Sequence, residues 1–136
     1  MHKLITALVI ATFAAPAYAA GDAAKGESDF KKCKACHSIV KDDGTAVVKG
    51  GKTGPNLYGV IGRTAGTAAD FKYGDSIVAA GAAGVIWDEA LLVAYLADPT
   101  TFLKDKTGDA ASKSKMAFKL AKGGEDIAAY LATMKP

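Results

Sequence analysis

Five residues constrain this chain more than any other feature. Cys33-Lys34-Ala35-Cys36-His37 hold both cysteines of the sequence and one of its two histidines. Cysteines at i and i+3 share one helical turn, so both sulfurs can reach one edge of the same ligand. The histidine directly behind them can place its imidazole beside that ligand. Three chemistries compete for such a cluster: a redox dithiol, part of a metal site, and the covalent attachment point of a haem.

A zinc site wants about four ligands, commonly in two pairs. After His37 the sequence has no further cysteine or histidine, and nothing points to carboxylates completing a set. A redox dithiol suits an exported protein, but it is at home in a strand–helix–strand framework that this chain does not suggest. Haem attachment uses every feature. Both sulfurs can bond the two vinyl groups on one edge of a porphyrin, His37 can sit beneath the iron, and C-x-x-C-H is the attachment signature. One motif implies one haem.

The first segment, "MHKLITALVIATFAAPAYAA", reads as an export signal rather than part of the fold. Lys3 supplies a positive start, Leu4 to Ala15 form a short apolar run, and Ala17-Tyr18-Ala19 fits a small-x-small cleavage site. A membrane-spanning helix needs about 20 apolar residues, more than this run offers before Pro16. We expect residues 1–19 to be removed, within one residue, and residues 20–136 to form a single exported domain. Haem attachment outside the cytoplasm matches such a leader. The remaining 117 residues can build one core but not a generous one, and a large flat apolar ring would supply what they lack.

Along the mature chain the pattern is helical with long loops. Asp22 can cap a first helix running to about Ala35. From Ile39 to Thr67, glycine and proline punctuate the chain too often for long helices or strands. A short helix is expected near the end of "AADFKYGDSIVAAG". "WDEALLVAYLADP" is the clearest helix, with Asp88 as cap and Pro99 as stop. A polar loop, "TTFLKDKTGDAASKSK", is expected next. "GGEDIAAYLATMK" closes the chain as an amphipathic helix, with Ile127, Tyr130, Leu131 and Met134 at helical spacing. "AVVKGGKT" comes near a phosphate-binding loop, but Ala46 stands at its first position and no strand–loop–helix context surrounds it.

The sixth position on a haem iron decides what the site does. With methionine opposite histidine the iron is closed and its reduction potential raised, which suits electron transfer. Met1 leaves with the leader, and Met134 lies on the apolar stripe of the last helix. Met116, in "SKSKMAFKL", lies outside an obvious helix; alone it would read as core filling, but beside a haem it becomes the candidate ligand.

From end to end, the mature chain resembles the class I cytochromes c, most closely the bacterial group of purple and alpha-proteobacterial type. The resemblance is carried by "GDAAKGESDFKKCKACHSI", "KTGPNLYGVIGRTAG", "FKYGDS", "AYLADP", "KMAFKL" and "GGEDIAAYL", in the family's order. It implies an all-α class I fold, with three main helices, short ones and long loops wrapped around one covalent haem c. It implies Cys33 and Cys36 as attachment points, His37 and Met116 as iron ligands, and the Pro55 carbonyl as partner of the His37 ring. Arg63, Tyr73 and Trp87 would hydrogen-bond or neutralise the propionates, and Tyr95 would point its hydroxyl at the Met116 sulfur. Gly26 and Phe30 would pack against Ile127 and Tyr130, and Phe118 would lie near the exposed haem edge. Compared with the short mitochondrial type, there are extra residues between His37 and Pro55 and between Leu103 and Met116.

The function implied is that of a periplasmic, monomeric, single-haem electron carrier and not an enzyme. Its donor would be a cytochrome bc1 complex; its acceptor would be a photosynthetic reaction centre or a terminal oxidase of the respiratory chain. Between Lys104 and Lys122 six lysines face only Asp105 and Asp109, a local excess suited to acidic partners. Lys32, Lys34, Lys104, Lys106, Lys113, Lys115 and Lys119 are the expected steering charges, although a merely solvated face fits the charge pattern as well. Peroxidase, nitrite-reductase and ligand-sensor readings each need an open iron position, the enzymes also acid–base groups above it. With His37 the one histidine of the mature chain, none is apparent.

Overall fold

Asp22 accepts hydrogen bonds from the backbone N–H groups of Ala24 (3.0 Å) and Lys25 (3.1 Å) and so starts helix α1, Ala23–Asp29. The structure is a computed structural model and describes residues 20–136; the leader expected at 1–19 lies outside the described residues. Helix α1 stops short of Ala35. At Phe30 the winding tightens into a 3₁₀ turn, Phe30–Lys32, and further turns follow, closed by Cys33 N–H to Phe30 O (2.8 Å) and Cys36 N–H to Cys33 O (3.2 Å). Winding at three residues per turn eclipses side chains at i and i+3. The tightened winding brings Phe30 and Cys33 onto one side, with Phe30 buried in the core, while Cys33 and Cys36 both reach the cavity described below.

A small β pair departs from the purely helical expectation. Strands β1, Ile39–Val40, and β2, Ala46–Val48, run antiparallel, with Ile39 opposite Val48 and a bulge before Val40. Branched residues on both sides of the "DDGT" turn explain it, and Gly44 supplies the positive φ (87°) that the turn requires. Residues 49–74 contain neither helix nor strand, as their glycine and proline content suggests, apart from an isolated bridge between Thr64 and Ile86.

Helix α2, Asp75–Ala82, is the short helix expected after "FKYG". Helix α3, Glu89–Ala97, begins at Asp88, whose carboxylate accepts from Leu91 N–H at 2.7 Å. The polar loop expected after it is instead a helix, α4, Pro99–Thr107. Asp98 caps this helix by accepting from Thr101 N–H at 3.0 Å, and Pro99 occupies its first turn, where a missing N–H costs nothing. Pro99 thus stands just beyond the end of α3 at Ala97, as expected of a stop, and also opens the next helix. Pro99, Phe102 and Leu103, spaced for one helical face, are buried, and Gly108 ends the helix in the left-handed region (φ 69°).

Helix α5, Gly124–Ala132, packs across α1. The Phe30 and Tyr130 rings meet edge to face at 5.7 Å, and Ile127 and Leu131 are almost fully buried beside them. Gly26 lets the helices touch: a Cβ built there would lie 1.9 Å from Asp126 O. Asp126 also accepts from Asp22 N–H (2.8 Å) and pairs with Lys25 Nζ (3.0 Å), tying the start of α1 to α5. Met134, just beyond α5, is half-buried against the same core.

Gly26→Ala should reverse the usual preference of helices for alanine, which is worth about 1 kcal/mol. The added methyl meets backbone, so denaturant unfolding should show a net loss of about 1–3 kcal/mol, the range for overpacking. Equal or greater stability would contradict the close crossing. The Asp22 N–H and the Lys25 ammonium hold the Asp126 carboxyl below its ordinary 3.8. Its contribution is complete above 3.8 and lost as pH falls through the lower folded value. Thermal melts of Asp126→Asn and the parent chain should therefore differ near neutrality and converge in strong acid; a constant offset at all pH values would refute the linkage.

Candidate haem site

The helices and the 49–74 segment enclose a cavity of about 810 Å³. Its wall is largely apolar and includes core residues such as Val60, Leu92, Leu96 and Leu131. The volume falls in the usual range for sites that engulf a small organic ligand, about 300–1,000 Å³. Cys33, Cys36, His37 and Met116 all line it, whereas Met134 does not.

Each donor is held by identifiable contacts. His37 N–H closes the cysteine turn on Cys33 O at 2.9 Å. Its ring Nδ1 lies 2.8 Å from the Pro55 carbonyl. A carbonyl only accepts, so this bond assigns the proton to Nδ1 and leaves Nε2 with its lone pair. Burial lowers the His37 pKa from its ordinary 6.5 against the opposing pull of the Pro55 bond, keeping the ring neutral as metal ligation requires. Gly54 makes room for the ring: a Cβ there would lie 2.3 Å from His37 Cε1. The Pro55 carbonyl is in turn placed by Asn56, whose side chain pairs with Val40 through Oδ1 (2.9 Å from Val40 N) and Nδ2 (2.7 Å from Val40 O). The strand-like grip of Asn56 on Val40 is a role that its place in "TGPNL" did not disclose.

Cys33 and Cys36 are not joined to each other in a disulfide. Burial pushes the Cys33 thiol up to about 11 despite nearby Lys32. A catalytic dithiol depends on a lowered thiol pKa, so the environment suits a tether more than a redox centre. Among the described residues, no group of three or more His, Cys, Asp or Glu side chains converges to hold a metal ion. The pattern of cavity, paired thiols, neutral imidazole and thioether therefore fits a covalently held porphyrin and not a zinc site.

Arg63, Tyr73 and Trp87 line the same cavity. The Arg63 guanidinium donates to Asn56 O (3.1 Å) and Tyr58 O (3.3 Å) and leaves further N–H groups for an acidic ligand group. Burial lowers its pKa while Tyr73 raises it. The Tyr73 hydroxyl also accepts from Ala68 N–H at 3.1 Å. Trp87 stacks on Phe102 (5.5 Å) and meets Tyr95 edge to face (5.2 Å).

Tyr95 has a partner beside the methionine. Its hydroxyl lies 3.1 Å from Ser114 Oγ, and Ser114 Oγ accepts from Met116 N–H at 3.1 Å. The tyrosine thus reaches the methionine segment through Ser114, because an oxygen two residues before the sulfur is the better hydrogen-bond partner. The signal for Ser114 was its position in "SKM", where a short hydroxyl bonds the backbone two residues on.

The lysines also sort differently. Lys32, Lys52, Lys72, Lys113 and Lys115 line the cavity, as does Phe118, which is 43% exposed. Lys34, Lys104, Lys106 and Lys119 do not line it. Lys119 pairs with Asp98 at 2.9 Å and Lys106 lies over the Phe102 ring at 5.6 Å. Lys52 and Lys72 went unnoticed because they stand in loops distant in sequence from the cysteine and methionine segments.

No protein-family model matches the chain. Cytochrome c2 of Rhodobacter capsulatus is 62% identical over 136 residues, which cover 98% of each chain. The chain belongs to the class I cytochromes c, in the cytochrome c2 group. Cytochrome c-550 of Paracoccus versutus is 52% identical over 137 residues, 98% of this chain and 89% of that one. The solved structure of Rhodobacter capsulatus cytochrome c2 superposes with a TM-score of 0.81 at 65% identity, covering 83% of this chain and 97% of the other. Ferric cytochrome c-550 from Paracoccus versutus gives 0.82 at 53% identity, over 85% and 99%. The helical architecture above is accordingly the class I cytochrome c fold. Cytochromes c2 carry one covalently attached haem c with its iron, and Cys33, Cys36 and His37 supply the attachment motif here. This cytochrome is a haem electron carrier.

Proposed function

We propose that this cytochrome is a soluble, monomeric periplasmic shuttle, not an enzyme, and that His37 and Met116 would be the side chains that hold its iron. The supporting observation is that His37, held as the Nδ1–H tautomer by the Pro55 carbonyl, Met116 and both cysteines line one cavity. Haem c supplies a one-electron ferrous–ferric couple. Everything else is assigned to the chain. Pro55 fixes the imidazole and strengthens it as a donor. Arg63 and Tyr73 offset the propionate charge, which is costly to bury unpaired. The apolar wall excludes water, so closed ligation leaves little to rearrange on electron transfer.

Residues 1–19 are the export signal in this reading, and residues 20–136 are the mature domain. The donor is the cytochrome bc1 complex; the acceptor is a photosynthetic reaction centre or a cytochrome oxidase. Lys32, Lys52, Lys72, Lys113 and Lys115, at the cavity, are the charges best placed to steer docking towards acidic surfaces. Steering of this kind raises the association rate and weakens with salt.

Met116→Ala should lose the methionine–iron absorption band, lower the reduction potential and bind carbon monoxide rapidly when reduced. A variant that kept the native spectrum would remove Met116 from the iron. Cys33→Ser combined with Cys36→Ser should abolish covalent haem and leave a chain without cooperative unfolding; a stable, native-like apo-protein would show that the polypeptide supplies its own core.

A further inference from the structure

The segment carrying Met116 has little backbone support of its own. Residues 112–120 adopt neither helix nor strand. Among the described residues, no loop backbone–backbone hydrogen bond involves residues 113–119. What holds the segment is a set of hydroxyls from other elements. Ser114 N–H donates to Thr100 Oγ1 of α4 at 3.1 Å, and Lys113 N–H donates to Ser76 Oγ of α2 at 3.0 Å. Ser112, the buried polar side chain that precedes them, meets Thr107 Oγ1 at 2.7 Å.

Helix α2 contributes a second contact beside the first. A Cβ built on Gly74, the residue before α2, would lie 3.2–3.3 Å from the Cγ, Cδ and Cε atoms of Lys115. The aliphatic stem of Lys115 therefore lies against a backbone kept bare by glycine. Residues 113 and 115 flank Ser114 and precede the methionine, and both face the first turn of α2. Neither contact is needed to build α2, since Ser76 makes no cap and its hydroxyl turns outward to the neighbouring segment.

We propose that Ser76 is a positioning residue: through its hydroxyl bond to Lys113 N–H, the first turn of α2 latches the Met116 segment and limits how often that segment swings away from the cavity. The proposal rests on the reading of Met116 as iron ligand. Release of the latch leaves the segment anchored at its two ends, by Ser112 on Thr107 (2.7 Å) and by Leu120 N–H on Leu96 O (2.7 Å) with Lys119 on Asp98 (2.9 Å). Between them Tyr95 and Thr100 both converge on Ser114, so the stretch beside the methionine can pivot there. The bond is exposed to water, which makes it a weak and rapidly opening restraint. Opening at Ser76 then governs entry of small external ligands to the metal without unfolding the α1–α5 core.

The test uses the haem-loaded protein and three variants. In Ser76→Ala, loss of one neutral hydrogen bond should raise amide exchange at Lys113 about fivefold, and the rate at which the ferric protein binds imidazole by a similar factor. Exchange at Ile127, in the α1–α5 core, should not change. Ser76→Thr, which keeps the hydroxyl, should restore both rates. Met116→Ala should bind imidazole fast whatever stands at position 76. Wild-type rates in Ser76→Ala, beside a fast Met116→Ala, would reject the latch and spare the ligand. An unchanged imidazole rate in Met116→Ala would reject the ligand, and the gate with it. Equal acceleration at Lys113 and Ile127 would mean general destabilisation and would also overturn the latch.

Discussion

The bond between His37 Nδ1 and the Pro55 carbonyl fixes the imidazole where two parts of the chain meet, beside the backbone bonds from Gly54 N–H to Cys36 O (2.8 Å) and Gly51 N–H to Lys34 O (3.0 Å). On one side stands the tight turn that sets both thiols beside the imidazole. On the other stands the glycine-rich segment that wraps the cavity and carries Arg63. Because the acceptor is a carbonyl, the bond decides the tautomer as well as the position of the ring, leaving Nε2 available to a metal. Asn56, gripping Val40, keeps that carbonyl in place, so the small β pair takes part in defining the donor set.

The two sides of the site are built by different physical means. The cysteine–histidine side is closely packed: a short winding, Gly54 leaving no room for a side chain against the ring, Gly50 and Gly51 against the backbone of the turn, and the close α1–α5 crossing. The methionine side is strung across gaps between helices and held by serine and threonine hydroxyls. With His37 and Met116 as the proposed iron ligands, a carrier that keeps both through each redox change would gain from a firmly held histidine. A methionine held by several weak bonds can be retained on average while remaining open to local fluctuation.

Charge is arranged with similar economy. The net balance of the chain is nearly even, and part of the apparent lysine excess is spent internally, as in the pairs of Lys119 with Asp98 and Lys25 with Asp126. The lysines left around the cavity come from widely separated segments of the chain, so their joint field exists only once the chain has folded.

Much of the site was legible in local spacing. The C-x-x-C-H turn, the caps at Asp22 and Asp88, and the amphipathic last helix each express physics that acts over a few residues, and the structure contains all of them. Helix α4 was equally local, since Asp98, Pro99 and the 99–102–103 apolar spacing announce it, but the polar composition of the stretch hid that signal. What the order of residues could not determine was partnership across distance. Whether Tyr95 meets a sulfur or Ser114, which lysines surround the cavity, and which hydroxyl receives Lys113 N–H all depend on how α2, α3 and α4 approach the methionine segment. Chain-local preferences say nothing about such approaches; only the closing of the fold around one cavity decides them.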